Sequence, residues 1–149
     1  MPEHAGPEAV GATILLVDDE EIVRHYCRRA LESDGARVVE AGDGASALRL
    51  VEEGPADFDL VITDVRMPVI GGLEVAEVLS VFRPGLPVLA ISADVRGSTD
   101  RRLELLPKPF TADQLLAAAR RARAHIGKAR ALAEENRVRA RRLRERAAA

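Results

Sequence analysis

Aromatic residues are nearly absent from this chain, which has no tryptophan, one tyrosine and three phenylalanines among 149 residues. Any core must therefore be assembled from Val, Leu, Ile and Ala. Cysteine is scarcer still. The single copy, Cys27, excludes an internal disulfide and fits a reducing cytoplasm. It lies among Ile22, Val23, Tyr26, Ala30 and Leu31 at helical spacing, so it reads as core and not as a reactive thiol. The three histidines, His4, His25 and His125, share no ligand spacing with one another or with Cys27, and no zinc site is expected. No apolar run approaches the roughly 20 residues needed to span a bilayer. Residues 1–12 lack the apolar stretch of a secretory signal. With Pro2, Gly6, Pro7 and Gly11 they read as a disordered lead-in.

A surplus of charge is lacking too, but only in total. The net charge is −2. Residues 1–127 carry 14 Lys and Arg against 21 Asp and Glu, a balance of −7, while residues 128–149 carry 8 against 3, a balance of +5. A mildly acidic domain is followed by a basic tail, which either has a partner of its own or is a solvated helix.

What the sequence has in quantity is apolar runs alternating with amphipathic ones. Thr13 to Val17 is a first run, and a helix follows it to about Ser33, ended by Gly35. Ala36 to Ala41 is a second strand. Gly42-Asp43-Gly44 turns into a helix from Ala45 to about Glu53. Leu60 to Ile62 is a third strand that climbs to Asp64 and breaks at Pro68 and Gly71-Gly72. Its continuous apolar character is that of a strand buried on both faces. A helix from Leu73 to about Phe82 and strands at Pro87 to Ser92 and Leu103 to Leu106 come next. Thr111-Ala112-Asp113-Gln114 is a capping box opening a long helix. This alternation predicts a doubly wound α/β sheet.

Polar residues gather at the carboxyl ends of these strands, the edge where open α/β sheets bind ligands. Asp18 and Asp19 follow the first strand, Asp64 ends the third, Ser92 ends the fourth and Lys108 follows the fifth. Each has an ordinary explanation alone, as a helix cap, a turn residue or plain surface. Together they suggest chemistry. Clustered carboxylates repel unless a cation sits among them, and an all-oxygen set suits Mg²⁺. A carboxylate nucleophile, a divalent metal, an ammonium and a hydroxyl are the parts for placing a phosphoryl group on Asp64.

The motifs Ile14-Leu15-Leu16-Val17-Asp18-Asp19-Glu20, Asp64-Val65-Arg66-Met67-Pro68 with Gly72, Ile91-Ser92-Ala93 and Lys108-Pro109-Phe110 resemble those of the receiver domain of two-component response regulators, over about residues 12–125. The resemblance implies a flavodoxin-like five-stranded parallel sheet in the order 2-1-3-4-5. It implies that Asp64 accepts a phosphoryl group from a histidine kinase or phosphotransfer protein. Asp19, Asp64 and the backbone carbonyl of Arg66 would bind Mg²⁺, with Asp18 assisting. Ser92, Lys108 and the amide of Ala93 would hold the phosphoryl oxygens, and the Lys108–Pro109 bond would be cis. Such a protein acts on itself and is not otherwise an enzyme.

Two features depart from the family. Leu105 stands where an aromatic switch residue is usual, three positions before the lysine. The interval from Ser92 to Lys108 is short, so the fourth helix is expected to be reduced to one or two turns. The expected organisation is a lead-in (1–12), a receiver domain (13–127) and an Arg-rich helical tail (128–149), as a stand-alone cytoplasmic response regulator. Ala119, Ala122, Ile126, Ala129, Ala133, Asn136, Ala140, Leu143 and Ala147 keep a heptad seam through that tail. Arginines flank the seam, which disfavours a homodimeric coiled coil and leaves an acidic protein surface or nucleic acid as possible partners. The alternative function is a non-phosphorylated interaction or nucleic-acid-contacting module working through that helix.

Overall fold

The structure is a computed structural model, and it describes residues 11–54, 56–94 and 103–148, with side chains described throughout except at 125–134. Strands β1 (Thr13–Val17), β2 (Arg37–Ala41), β3 (Leu60–Asp64), β4 (Val88–Ser92) and β5 (Leu103–Pro107) and helices α1 (Glu21–Ser33), α2 (Gly44–Glu53), α3 (Gly72–Phe82) and α4 (Ala112–Ala148) follow in the order β1-α1-β2-α2-β3-α3-β4-β5-α4 among the described residues. The strands form one parallel sheet in the order β2-β1-β3-β4-β5. This is the flavodoxin-like arrangement expected, and the bounds of its elements fall within one or two residues of those read from the sequence. The reduced fourth helix was expected at residues that lie mostly outside those described, as does the lead-in.

The apolar runs are continuous because both faces of the sheet are covered. Ile14 and Leu16 of β1, Leu60 and Ile62 of β3, and Leu89 and Ile91 of β4 pack in one layer with Cys27 and Leu31 of α1 and Leu115 and Ala118 of α4. Leu15 and Val17 of β1 and Val61 of β3 pack in the other, with Ala47 and Val51 of α2 and Val75 and Leu79 of α3. Successive residues of a strand face opposite sides, so odd and even positions sort into the two layers. Cys27 is a buried core residue, as its spacing suggested.

Local chemistry ends the helices where the sequence marked them. Gly35 takes a positive φ of 95° after α1, and the amides of Gly35 and Ala36 close on the carbonyls of Glu32 and Leu31 at 3.0 and 3.1 Å. The Asp43 side chain caps α2 by accepting from the Ser46 amide at 2.7 Å. The capping box of α4 is reciprocal. The Thr111 amide donates to Gln114 Oε1 at 2.8 Å and the Gln114 amide donates to Thr111 Oγ1 at 3.2 Å. Helix α4 is continuous, so its backbone crosses residues 127 and 128 without a break. None of the helices among the described residues is long and apolar enough to cross a membrane.

Candidate functional site

The strand order fixes where the site opens. The chain leaves β1 toward β2 on one side and returns to β3 on the other, so the carboxyl ends of β1 and β3 border the crevice at this reversal. Asp18 continues the alternation of Ile14 and Leu16, Asp64 that of Leu60 and Ile62, and Lys108 that of Leu106. All three fall on the α1–α4 side of the sheet. Backbone ladders hold the strand ends in register. The Asp18 amide donates to the Ala41 carbonyl at 3.2 Å, the Val65 amide to Ile91 at 2.9 Å and the Lys108 amide to Ser92 at 2.9 Å.

The side chains then meet. Carboxylate oxygens of Asp18, Asp19 and Asp64 lie within 4.8 Å of one another. Asp18 and Asp64 are buried, whereas Asp19 is exposed at the mouth. Lys108 Nζ reaches Asp64 Oδ1 at 3.1 Å. The Lys108–Pro109 bond is cis. Asp18 Oδ1 accepts from the Glu20 amide at 2.9 Å, which turns this carboxylate toward the head of α1.

The charges register this crowding. Burial pushes the Asp18 carboxyl up to about 6, against the pull of the Glu20 amide, and the negative charge of Asp64 pushes the same way. Burial works against the Lys108 ammonium, but the hydrogen bond and charge of Asp64, with Asp18 and Glu20 behind it, hold its pKa above the ordinary lysine value. One lysine faces a cluster of three carboxylates. The donor set is all oxygen, two members are buried and the mouth is open on the Asp19 side. A hard divalent cation of the Mg²⁺ class fits it.

Ser92 and Arg66 are placed differently. Ser92 is buried at the end of β4, and its hydroxyl donates to the Asp94 carbonyl at 2.7 Å and accepts from the Asp94 amide at 3.0 Å. The hydroxyl proton is thus turned into its own loop. Arg66 is exposed in the loop between β3 and α3. Leu105 is half-buried in β5, paired with Ala90 of β4.

Three supporting features were not read from the sequence. Arg24 Nη1 donates to the Asp18 carbonyl at 2.7 Å while its Nε stands 3.5 Å from Glu40 of β2, so α1 grips the backbone that carries the acidic pair. Thr63 Oγ1, fully buried, donates to the Asp64 carbonyl at 3.0 Å. Gly72 packs so closely that an added Cβ would collide with the same carbonyl. The glycine in the motif hinted at the last. Nothing in the local pattern pairs Arg24 with Glu40. A separate cleft of about 420 Å³, lined in part by Phe58, Phe82 and Leu86, lies at the opposite edge of the sheet and takes no part in this arrangement.

Comparison with known proteins agrees with the geometry. The family model for the response regulator receiver domain matches residues 14–120. Sensor kinase CckA of Brucella abortus (strain 2308) is 35% identical over 119 residues, covering 76% of this chain and 13% of that protein. Response regulator MprA of Mycobacterium sp. (strain KMS) is 39% identical over 115 residues, covering 72% of this chain and 48% of that protein. The chain therefore spans about half the length of MprA and a small part of CckA. Among solved structures, the response regulator protein TrrA from Thermotoga maritima, in complex with Mg(2+)-BeF, superposes with a TM-score of 0.67 at 28% identity, over 74% of this chain and 98% of that one.

Proposed function

This chain belongs to the response regulator receiver domain family, and from that premise we propose that it is a phosphoacceptor in a two-component phosphorelay, taking a phosphoryl group from a histidine kinase onto Asp64. The observation that carries this reading is the buried Asp64 carboxylate held 3.1 Å from Lys108 Nζ beside two further carboxylates. In the transfer, a carboxylate oxygen of Asp64 attacks the phosphorus of a phosphohistidine. The new O–P bond forms as the N–P bond breaks, and the released imidazole takes up a proton.

Asp18, Asp19, Asp64 and the carbonyl of Arg66 would hold Mg²⁺, which when bound supplies positive charge to the phosphoryl oxygens. The remaining work belongs to the chain. Lys108 orients Asp64 before transfer and holds a phosphoryl oxygen after it. The Ser92 hydroxyl leaves the Asp94 carbonyl to donate to another oxygen, joined by the Ala93 amide. No aromatic ring stands at position 105 to follow that movement. The output signal is accordingly a shift of the loop after Ser92 without an aromatic rotation. Matched NMR spectra of the free and beryllofluoride-bound protein, the fluoride being a stand-in for the phosphoryl group, test this. Unchanged resonances across residues 93–106 would sink it.

The kinase partner has a surface to meet. Ile22 is 86% exposed and Tyr26 49% exposed, one turn apart on α1, and the Tyr26 ring lies 6.5 Å from that of Phe110. An apolar patch beside an acidic mouth suits a partner helix that carries a phosphohistidine. The chemistry is self-modification in the cytoplasm, with no separate substrate turned over. Incubation with Mg²⁺ and acetyl phosphate tests the reading. It predicts a hydroxylamine-labile gain of one phosphoryl group that disappears in Asp64→Asn. Absence of any gain, with and without a kinase, would instead favour a non-phosphorylated module.

A further inference from the structure

The end of α4 lies beyond the packed core, and its arginines take no part in the receiver site. Residues 135–148 carry six arginines against two glutamates, all six exposed. They do not form one stripe. Arg137, Arg141 and Arg144 recur at i, i+4 and i+7 along one flank, and Arg139, Arg142 and Arg146 at i, i+3 and i+7 along the opposite flank. Between the flanks runs a narrow face of Asn136, Ala140, Leu143 and Ala147. It is small in side-chain volume and holds only one large apolar group.

Pairing with a second copy is disfavoured by charge. Flanking positions of one helix meet those of its partner in either orientation, and here they would set arginine against arginine. A helix partner of opposite charge would find little apolar area on this face to bury. Two basic flanks around a narrow small-residue face instead match the major groove of B-form DNA. An α-helix about 10–12 Å across fits a groove about 12 Å wide, with a phosphate strand on each wall. The alanines let the helix approach, and Asn136 offers an amide to base edges. Double-stranded RNA has a major groove too deep and narrow for this.

The rest of the molecule does not oppose it. Ala122 is the last core residue of α4 among those whose side chains are described. Arg137 to Arg146 stand about 22 to 36 Å further along the helix axis, more than two Debye lengths of about 8 Å from the acidic body at physiological salt. We propose that residues 135–148 of α4 bind duplex DNA in its major groove, gripping both phosphate strands with opposed arginine flanks and tolerating most sequences.

Fluorescence anisotropy of the full chain with a labelled mixed-sequence duplex of about 24 base pairs tests this. The expected result is binding at 50 mM salt that weakens about 100-fold or more by 200 mM, as phosphate contacts release counterions. Replacing either flank by glutamine, as Arg137→Gln with Arg141→Gln and Arg144→Gln, or Arg139→Gln with Arg142→Gln and Arg146→Gln, is expected to cost about 10- to 100-fold at low salt. The same triples made with lysine retain binding within a few fold, which separates lost charge from lost helix. Beryllofluoride at Asp64 changes the affinity less than twofold. Three results would each overturn the proposal: no binding at 50 mM salt, one flank proving dispensable, or a single strand binding as tightly as the duplex. Tighter capture of a glutamate-rich helical peptide than of the duplex would replace DNA with an acidic protein partner.

Discussion

Asp18 carries the sharpest consequence at the scale of single residues. Its carboxyl, burdened first by burial and then by the charge of Asp64, titrates near 6 in the folded chain, above its ordinary value of 3.8. A raised carboxyl pKa means that the folded state binds the proton more tightly than the unfolded one. Stability from this group is therefore full below about pH 4 and is lost as the pH climbs through about 6. Asp18→Asn keeps an oxygen to accept from the Glu20 amide and removes the penalty. In chelator-treated protein it is expected to stabilise the fold by about 2–3 kcal/mol at pH 7.5 and by almost nothing at pH 4. Urea titrations at the two pH values check this, and an equal effect at both would contradict the assignment. With Mg²⁺ present the gap is expected to narrow, because a cation held by the carboxylates would stabilise the native chain more than the variant, which lacks one of them.

Val69 is a second residue whose cost is visible. Its φ is +69°, and the Ile70 amide closes back on the Pro68 carbonyl at 2.8 Å, a tight γ-turn that a β-branched residue resists. The side chain is 95% exposed and returns no packing. Val69→Gly is expected to stabilise the protein by about 1 kcal/mol, the relief of strain exceeding the entropy cost of glycine. Chemical denaturation decides, and an unchanged or lower midpoint would show that the turn is not strained. Nothing in the local pattern marks this turn, since Val-Ile after Pro reads as an ordinary apolar pair.

At the scale of elements, legibility followed the range of the forces involved. Strands β1, β3 and β4 announced themselves because burial on both faces demands continuous apolar residues. The capping box of α4 and Gly35 after α1 work within four residues and were equally plain. Asp18, Asp64, Ser92 and Lys108 could be brought to one edge of the sheet from their positions at strand ends alone. The grip of Arg24 on Asp18 could not, because its second partner Glu40 lies on another element. Nor could the turning of the Ser92 hydroxyl into the Asp94 backbone, which depends on loop geometry. Helix α1 yields a prediction at this scale. Ile22→Asp removes an exposed apolar group from its surface patch, so stability should move by no more than about 0.5 kcal/mol. Phosphotransfer from the cognate kinase is expected to slow at least about 10-fold, a loss of about 1.4 kcal/mol in partner binding, while labelling by acetyl phosphate proceeds at the native rate. Equal slowing of both reactions would remove α1 from the docking surface.

The whole molecule joins an acidic α/β body to a basic helical extension. Its sheet order places the reversal of winding between β1 and β3, and the carboxylates border that crevice because they terminate those strands. The chemistry proposed for the body rests on Asp64, which ends the central strand β3. The most direct test is mass spectrometry of the intact protein after incubation with acetyl phosphate and Mg²⁺, run beside Asp64→Asn and a metal-free control. The account predicts one hydroxylamine-labile phosphoryl group on the native chain and none on the other two samples. Labelling that persists in Asp64→Asn, or that proceeds equally without a divalent cation, would contradict it.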